Sequence, residues 1–183
     1  CSGIALHSAR PFYPEDVRAA LAEVGGERML VTTPIHLRAL IESNIRLPAL
    51  RLIACATAPL SAQLAQQAER RFATHVHEIY GFTEAGQIAM RRTVNDPYWK
   101  LLPGIRMQAR DGCAWVQGGS VEHEVASSDQ IEMIDDRRFA LHGRSADMVN
   151  IGGKRNSLGY LSPQLCALDG VRDAVVFFPS DND

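Results

Sequence analysis

The sequence predicts an α/β protein: part of a parallel α/β layer, then a small antiparallel β unit, then the start of a small α+β C-terminal domain. Three observations predict it. From Pro14 to about Met90, apolar strand-type runs alternate with helical patterns, and strands separated by helices of this length imply parallel pairing. After about Gln87 the helical period gives way to short strand candidates broken by Gly, Pro and Asp pairs. Near Asp147 a third texture begins, "MVNIGGKRNSLGYLSPQLCAL" followed by "DAVVFF", which reads as strand, glycine-rich turn, helix and strand. The boundaries are accordingly expected at 1–88, 89–146 and 147–183.

Each element has a local reason. "PEDVRAALAEVGG" starts with acids that suit a helix N-terminus, spaces Val17, Leu21 and Val24 on one face, and stops at Gly25-Gly26. "RMLVTT" is a short apolar strand, and "PIHLRALIES" is helical with Pro34 at its start. "LRLIACAT" reads as a buried strand. "SAQLAQQAERRFA" opens with Ser61 as N-cap and carries Leu64, Ala68 and Phe72 on one side. "HVHEIY" is the next strand, and "GQIAMRR", "IRMQAR", "CAWVQ", "QIEMID" and "RFALHG" follow as short strands of the β unit.

Composition narrows the function classes. The chain has 183 residues, enough for a sizeable core, and its 46% apolar and 22% charged content is ordinary for a globular protein. A net charge of −2, from 19 basic and 21 acidic residues, gives no support for a nucleic-acid or anionic-membrane partner. No stretch approaches the roughly 18 apolar residues of a membrane span. Cys1, Cys55, Cys113 and Cys166 lack CxxC spacing, which points away from zinc knuckles and disulfide scaffolds and toward a reducing, cytoplasmic setting. Because residue one is Cys and leads straight into structured-looking sequence, the chain is expected to be a piece of a longer protein.

The chemistry concentrates in "HEIYGFTEAG", His77 to Gly86. Loops beyond the carboxyl ends of parallel strands are where α/β sheets bind ligands. There Tyr80 offers a flat face for a nucleobase, Thr83 a short donor for a phosphate oxygen, and Glu84 a hard oxygen ligand suited to Mg²⁺. The same residues have a plainer reading, with Gly81 and Gly86 serving a turn and Thr83 and Glu84 capping a helix. Upstream, Thr57, Ala58 and Pro59 of "CATAPLS" either present backbone groups to an adenine edge or form a simple strand-to-helix turn. Downstream lie an isolated acid at Asp129, then Gly143-Arg144, Asp147 and the pair Gly152-Gly153.

Taken in order, "TAPLS", "YGFTEAG", "SSD" and "GRSADMVNIGGKRNSLG" resemble the core motifs of the adenylate-forming superfamily, which includes acyl- and aryl-CoA ligases, peptide-synthetase adenylation domains and luciferases. The likeness covers residues 28–178, and the spellings "YGFTEAGQIAMRRT" and "GRSADMVNIGGKRNSLGYL" look most like the acyl/aryl ligases of aryl-polyene and xanthomonadin pigment clusters. The resemblance implies a two-step reaction. A carboxylate attacks the α-phosphate of MgATP to give acyl-AMP and pyrophosphate, and a thiol of CoA or an acyl carrier protein then takes the acyl group. It implies that Tyr80 stacks on adenine with Thr57, Ala58 and Pro59 beside it, that Thr83 touches the α-phosphate, and that Glu84 holds Mg²⁺. Asp129 would accept both ribose hydroxyls, since a carboxylate only accepts, and Arg144 would support ribose and phosphate. Asp147 would be the hinge, Gly152 and Gly153 the loop at the thiol tunnel, and Gly81 with Phe82 would lie near the acyl carboxylate.

Departures from the family pattern qualify the implied activity. The Gly/Ser/Thr-rich phosphate loop with its lysine and the C-terminal catalytic lysine are not in this stretch, whose lysines are Lys100 and Lys154. "SSD" replaces Thr-Gly-Asp, Arg137 sits where a turn glycine is common, and "LGYLS" lacks the usual glutamate. The expectation is that this stretch alone does not form acyl-AMP whereas the intact protein does; the alternative is a non-catalytic nucleotide-binding or interaction module descended from such a ligase. Other signals read as structural. Gly153-Lys154 fails the phosphate-loop pattern, with Met148 and Arg155 at its defining positions. His75, His77 and Glu78 read as alternation on a half-exposed strand, residues 135–138 as a solvated hairpin tip, and Arg91-Arg92 as a solvated face. Cys113 and Cys166 read as packing residues.

Overall fold

The computed structural model describes residues 4–7, 10–110, 113–119, 121–144 and 148–151, and then 154–158, 161, 165–166, 168–171 and 174–177. The chain divides into two compact units, Cys1–Glu78 and Ile79–Asp183.

The first unit is built as the periodicity predicts. Helix α1 (Pro14–Glu23) buries Val17 and Leu21, with Glu15 and Asp16 in its first turn. Arg28 closes the other end by donating to the Leu21 carbonyl at 2.7 Å, satisfying one of the carbonyls a helix end leaves open. Strand β1 (Met29–Thr32) follows, then α2 (Pro34–Glu42), whose Thr33 cap accepts from the His36 N–H. Strand β2 (Leu52–Cys55) leads to α3 (Ala62–Phe72), where the Ser61 side chain accepts from the Leu64 N–H at 3.2 Å. Strand β3 (Val76–Phe82) then pairs parallel to β2, with Ile53 opposite Val76 and Cys55 opposite Glu78, while β1 pairs parallel to β2 on its other side. Each helix buries the stripe that faces the sheet: Leu37 and Leu40 on α2, and Leu64, Ala65 and Ala68 on α3. The predicted parallel α/β layer is therefore present.

Cys55 lies within this layer. Burial, and secondarily the Glu78 charge, pushes its thiol up to about 12. A thiol at that pKa is almost wholly protonated near neutrality, and the thiolate is the reactive form. Alkylation at pH 8 followed by peptide mass analysis should leave Cys55 unmodified in the folded chain and modify it in denaturant; rapid modification of folded protein would contradict this burial.

In the second unit the strand order is β3-β4-β5-β9-β8-β7-β6, comprising β4 (Gly86–Arg91), β5 (Trp99–Leu101), β6 (Ile105–Arg110), β7 (Cys113–Gly118), β8 (Val121–Met133) and β9 (Arg138–Arg144). From β4 onward the neighbouring strands pair antiparallel. Its core gathers Tyr80, Ile88, Trp99, Leu101, Val116 and Phe139. Strand β5 has no counterpart in the sequence reading, because three residues are too few to show a period. β8 is much longer than the predicted "QIEMID", since it starts at Val121 and runs through Asp129. The β8–β9 connection is tied by Asp135, which accepts from the backbone N–H groups of Arg137 and Arg138; the Arg137 N–H first, and then the Arg138 guanidinium, hold its carboxyl below the usual carboxylate range. Arg137 is more than a solvated tip residue, because it also donates to the Leu101 carbonyl at 2.8 Å.

The C-terminal texture is met in part. Strands β10 (Met148–Ile151) and β11 (Lys154–Ser157) pair antiparallel, a return strand the sequence reading did not separate, and helical residues follow at Leu158, Leu161, Leu165 and Cys166. Ala174–Phe177 carry no strand, and Val175 and Phe177 are exposed. No described helix is long and apolar enough to cross a membrane.

Candidate functional site

The turn between β3 and β4 shows what its two glycines do locally. Thr83, Glu84 and Ala85 connect the strands, the Ala85 N–H donates to the Phe82 carbonyl at 3.1 Å, and Gly86 takes φ +67°. A turn closed this way and followed by a left-handed residue is a common three-residue hairpin connection. Thr83 and Glu84 therefore do not cap a helix; β4 follows directly. Both are exposed at the turn, while Ala85 is buried beneath them. Gly81 is required by close approach: a Cβ there would stand 2.8 Å from the Gly86 carbonyl carbon, closer still to its oxygen, and 3.0 Å from Gln87 Cα. Phe82 is half-buried against the core of the unit.

Tyr80, three residues before Thr83, is only 8% exposed. Its ring packs at 5.4 Å from Trp99 and 5.6 Å from Phe139 in tilted geometry. On the far strands, Trp99 and Phe139 are directly opposite in the β5–β9 register, and the Arg91 guanidinium lies 4.4 Å from the Trp99 ring centroid. The Tyr80 hydroxyl donates to Asp129 Oδ2 at 2.6 Å. Burial first, and then the Asp129 carboxylate, raises the phenol pKa above its ordinary value, so the hydroxyl stays a donor.

Asp129 reaches this position through two interruptions of the sheet. Between β7 and β8, Trp115 pairs with Ala126 and Cys113 with Gln130, so Ser127, Ser128 and Asp129 bulge opposite Ala114. Between β8 and β9, Gln130 pairs with Gly143 and Ile131 with Leu141, leaving His142 as an extra residue beside Gly143 at φ +107°. Bulges re-aim side chains and are frequent near functional sites. Asp129 is directly opposite Arg144, whose Nε lies 3.8 Å from Oδ1; the Arg144 side chain is 71% exposed and that of Asp129 14%. Ser127, buried, accepts from the Asp129 N–H at 2.8 Å. The structure thus joins Tyr80, Asp129 and Arg144 from three strands, with the Thr83-Glu84 turn next along β3. Oxygen ligands and a single exposed carboxylate at Glu84 suit Mg²⁺, which is commonly held by one or two carboxylates plus nucleotide phosphates.

Thr57, Ala58 and Pro59 belong to the first unit, exposed on the loop after β2. Thr57 has φ +80°, a costly conformation for a β-branched residue and one that tends to persist at functional loops. Thr57→Gly should raise the unfolding free energy by about 1 kcal/mol in urea titration, the relief of strain exceeding the added chain entropy; a loss of stability would show that the loop does not hold this conformation. Sequence reasoning missed the anchor of that loop. Glu78, 3% exposed, accepts from the Leu60 N–H at 2.8 Å. Its carboxylate is thereby committed to the loop, on the strand face opposite His75 and His77. An acid in a strand whose alternate positions, Val76 and Tyr80, are buried was the available signal. Asp147, Gly152 and Gly153 lie outside the described residues.

Comparison with known proteins agrees with this architecture. A 4-coumarate–CoA ligase from Halorhodospira halophila is 28% identical over 158 residues, covering 86% of this chain and 40% of the relative. A variant of E. coli MenE with bound OSB-AMS superposes with a TM-score of 0.73 at 17% identity, covering 90% of this chain and 39% of that one. ATP-bound MatB from Rhodopseudomonas palustris gives 0.72 at 20% identity, with coverage of 90% and 39%. The chain spans about two fifths of the length of these proteins. Its residues 1–113, from the parallel layer through the Tyr80–Gly86 turn and into the β unit, match the AMP-binding enzymes, and with well over half its length so matched the chain belongs to that family.

Proposed function

We propose that the protein carrying this chain is a cytoplasmic ATP-dependent acid–thiol ligase. It adenylates a carboxylic acid and passes the acyl group to CoA or an acyl carrier protein. The observation that carries the proposal is the meeting of Tyr80, Asp129 and Arg144, with Thr83 and Glu84 on the adjoining turn. In this reading Asp129 accepts the ribose hydroxyls, Arg144 lends positive charge to ribose and phosphate, Tyr80 stacks on adenine, and Thr57, Ala58 and Pro59 offer backbone groups to an adenine edge. Thr83 donates to the α-phosphate. Glu84 holds Mg²⁺, which when bound neutralises phosphate charge. Two anions must meet in the first step, so fixed donors and cations dominate its barrier. Gly81 and Phe82 flank the acyl carboxylate, Asp147 is the hinge, and Gly152 and Gly153 leave room for the thiol.

An aryl acid is the favoured substrate, on the likeness to a 4-coumarate–CoA ligase and on spellings shared with aryl-polyene and xanthomonadin ligases. This stretch alone is proposed to be inactive, since neither Lys100 nor Lys154 lies in a phosphate-loop or C-terminal lysine motif. The test is calorimetry of MgATP and AMP on the intact protein beside Asp129→Ala, with pyrophosphate release over a panel of aryl acids. Asp129→Ala should weaken AMP by at least about 30-fold, roughly 2 kcal/mol for lost charge-assisted hydrogen bonds. Indifference to the substitution would refute the site, and binding without pyrophosphate release would favour a non-catalytic nucleotide binder.

A further inference from the structure

We propose that Tyr80 and Ser127 are positioning residues that lock the Asp129 carboxylate in one orientation, and that this lock sets how strictly the site demands both hydroxyls of a ribose. The inference rests on the nucleotide reading above and adds the groups that make Asp129 selective. An aspartate carboxyl rotates broadly about its terminal torsion, so an isolated Asp adapts to a diol, to one hydroxyl or to water with little preference. Here that freedom is removed. Tyr80 occupies Oδ2 with a 2.6 Å hydrogen bond from an enclosed phenol. The phenol ring itself packs against both Trp99 and Phe139 and is 8% exposed, so the donor cannot follow the carboxylate if it turns.

Ser127 fixes the other end of the same residue. It is 6% exposed and accepts from the Asp129 N–H at 2.8 Å, pinning the backbone of the bulge that carries the acid. Oδ1 faces Arg144 on the solvated side. A carboxylate presented this way offers a fixed edge, and a fixed acceptor discriminates a correctly spaced pair of donors from a single one more sharply than a mobile acceptor does. The hydroxyl of Tyr80 therefore contributes to specificity in addition to the packing of its ring.

Tyr80→Phe removes the hydroxyl and keeps the ring; Ser127→Ala removes the backbone tie. Affinities of the intact protein for AMP, 2′-deoxy-AMP and 3′-deoxy-AMP should be measured by calorimetry for wild type and both variants, with thermal unfolding followed in parallel. The expected result is a wild-type preference for AMP over either deoxy form that closes by about tenfold in Tyr80→Phe, the scale of one well-formed hydrogen bond, and partly closes in Ser127→Ala. A merely structural role for the hydroxyl would weaken all three nucleotides alike and leave the ratio unchanged, which would overturn the inference while leaving the nucleotide site standing. Failure of wild type to bind any of the three would overturn the nucleotide reading and this inference together.

Discussion

Gly81→Ala is expected to destabilise the second unit by about 3 kcal/mol, the upper range for forcing a methyl into filled space. The added Cβ would run into one stretch of backbone: the Gly86 carbonyl oxygen, its carbon at 2.8 Å and Gln87 Cα at 3.0 Å. Backbone cannot step aside as a flexible side-chain end can, so the β3–β4 turn must open. That turn carries Thr83 and Glu84 and continues into Ile88 and Ala89, both fully buried, and the opening reaches the core. Gly86→Ala is the internal comparison. Gly86 has φ +67° but nothing within 4 Å of an added Cβ, so its replacement costs only the left-handed conformation, about 1 kcal/mol. Urea titration followed by Trp99 fluorescence reads both, since Trp99 touches Tyr80 one residue away. Equal costs for the two substitutions would mean that the close approach at Gly81 is not real. An exposed glycine that tolerates nothing larger is a feature of the hairpin, independent of any ligand.

The elements legible in the sequence are those whose identity depends on local pattern. Val17 and Leu21 on α1, Leu64 and Ala68 on α3, and Ser61 as a cap all follow from spacing and hydrogen-bonding chemistry within one turn. What stayed hidden depends on partners distant in the chain. Asp129 reads as an isolated acid because its neighbours are Ser127 and Ser128; only the pairing of β8 with β7 and β9 shows that it sits in a bulge opposite Arg144. Tyr80 reads as a free ring, and its enclosure follows from Trp99 and Phe139, which are supplied by two later strands. Strand β11 shows only in its pairing with β10, since "KRNS" has no apolar alternation of its own. Glu78 reads with His75 and His77 as polar alternation, although the strand period places it with Val76 and Tyr80 on the buried face.

Glu78→Ala should have the second large effect, about 3 kcal/mol, and the reason is the asymmetry between making and losing a buried hydrogen bond. The Leu60 N–H is enclosed, with its residue 3% exposed, and it donates to a carboxylate that is itself 3% exposed. Removing the acceptor leaves the donor dry and unpaired and adds a small cavity. The loop loses its downstream anchor while the upstream one, the Ala56 N–H to the Thr32 carbonyl at 3.0 Å, remains. Thr57 lies between these two points at φ +80°, so strain held by both should relax once one is gone. Glu78→Gln separates hydrogen bond from charge: the amide oxygen can still accept from Leu60, and the expected cost is about 1 kcal/mol or less. The same variant has a second readout within this unit. Glu78 charge is the lesser of two causes raising the Cys55 thiol to about 12, so neutralising it should lower that pKa while burial keeps it above its ordinary value. Thiolate absorbance against pH measures the shift. A Glu78→Gln chain as unstable as Glu78→Ala, or a Cys55 titration that does not move, would show that the carboxylate is not the brace of this loop.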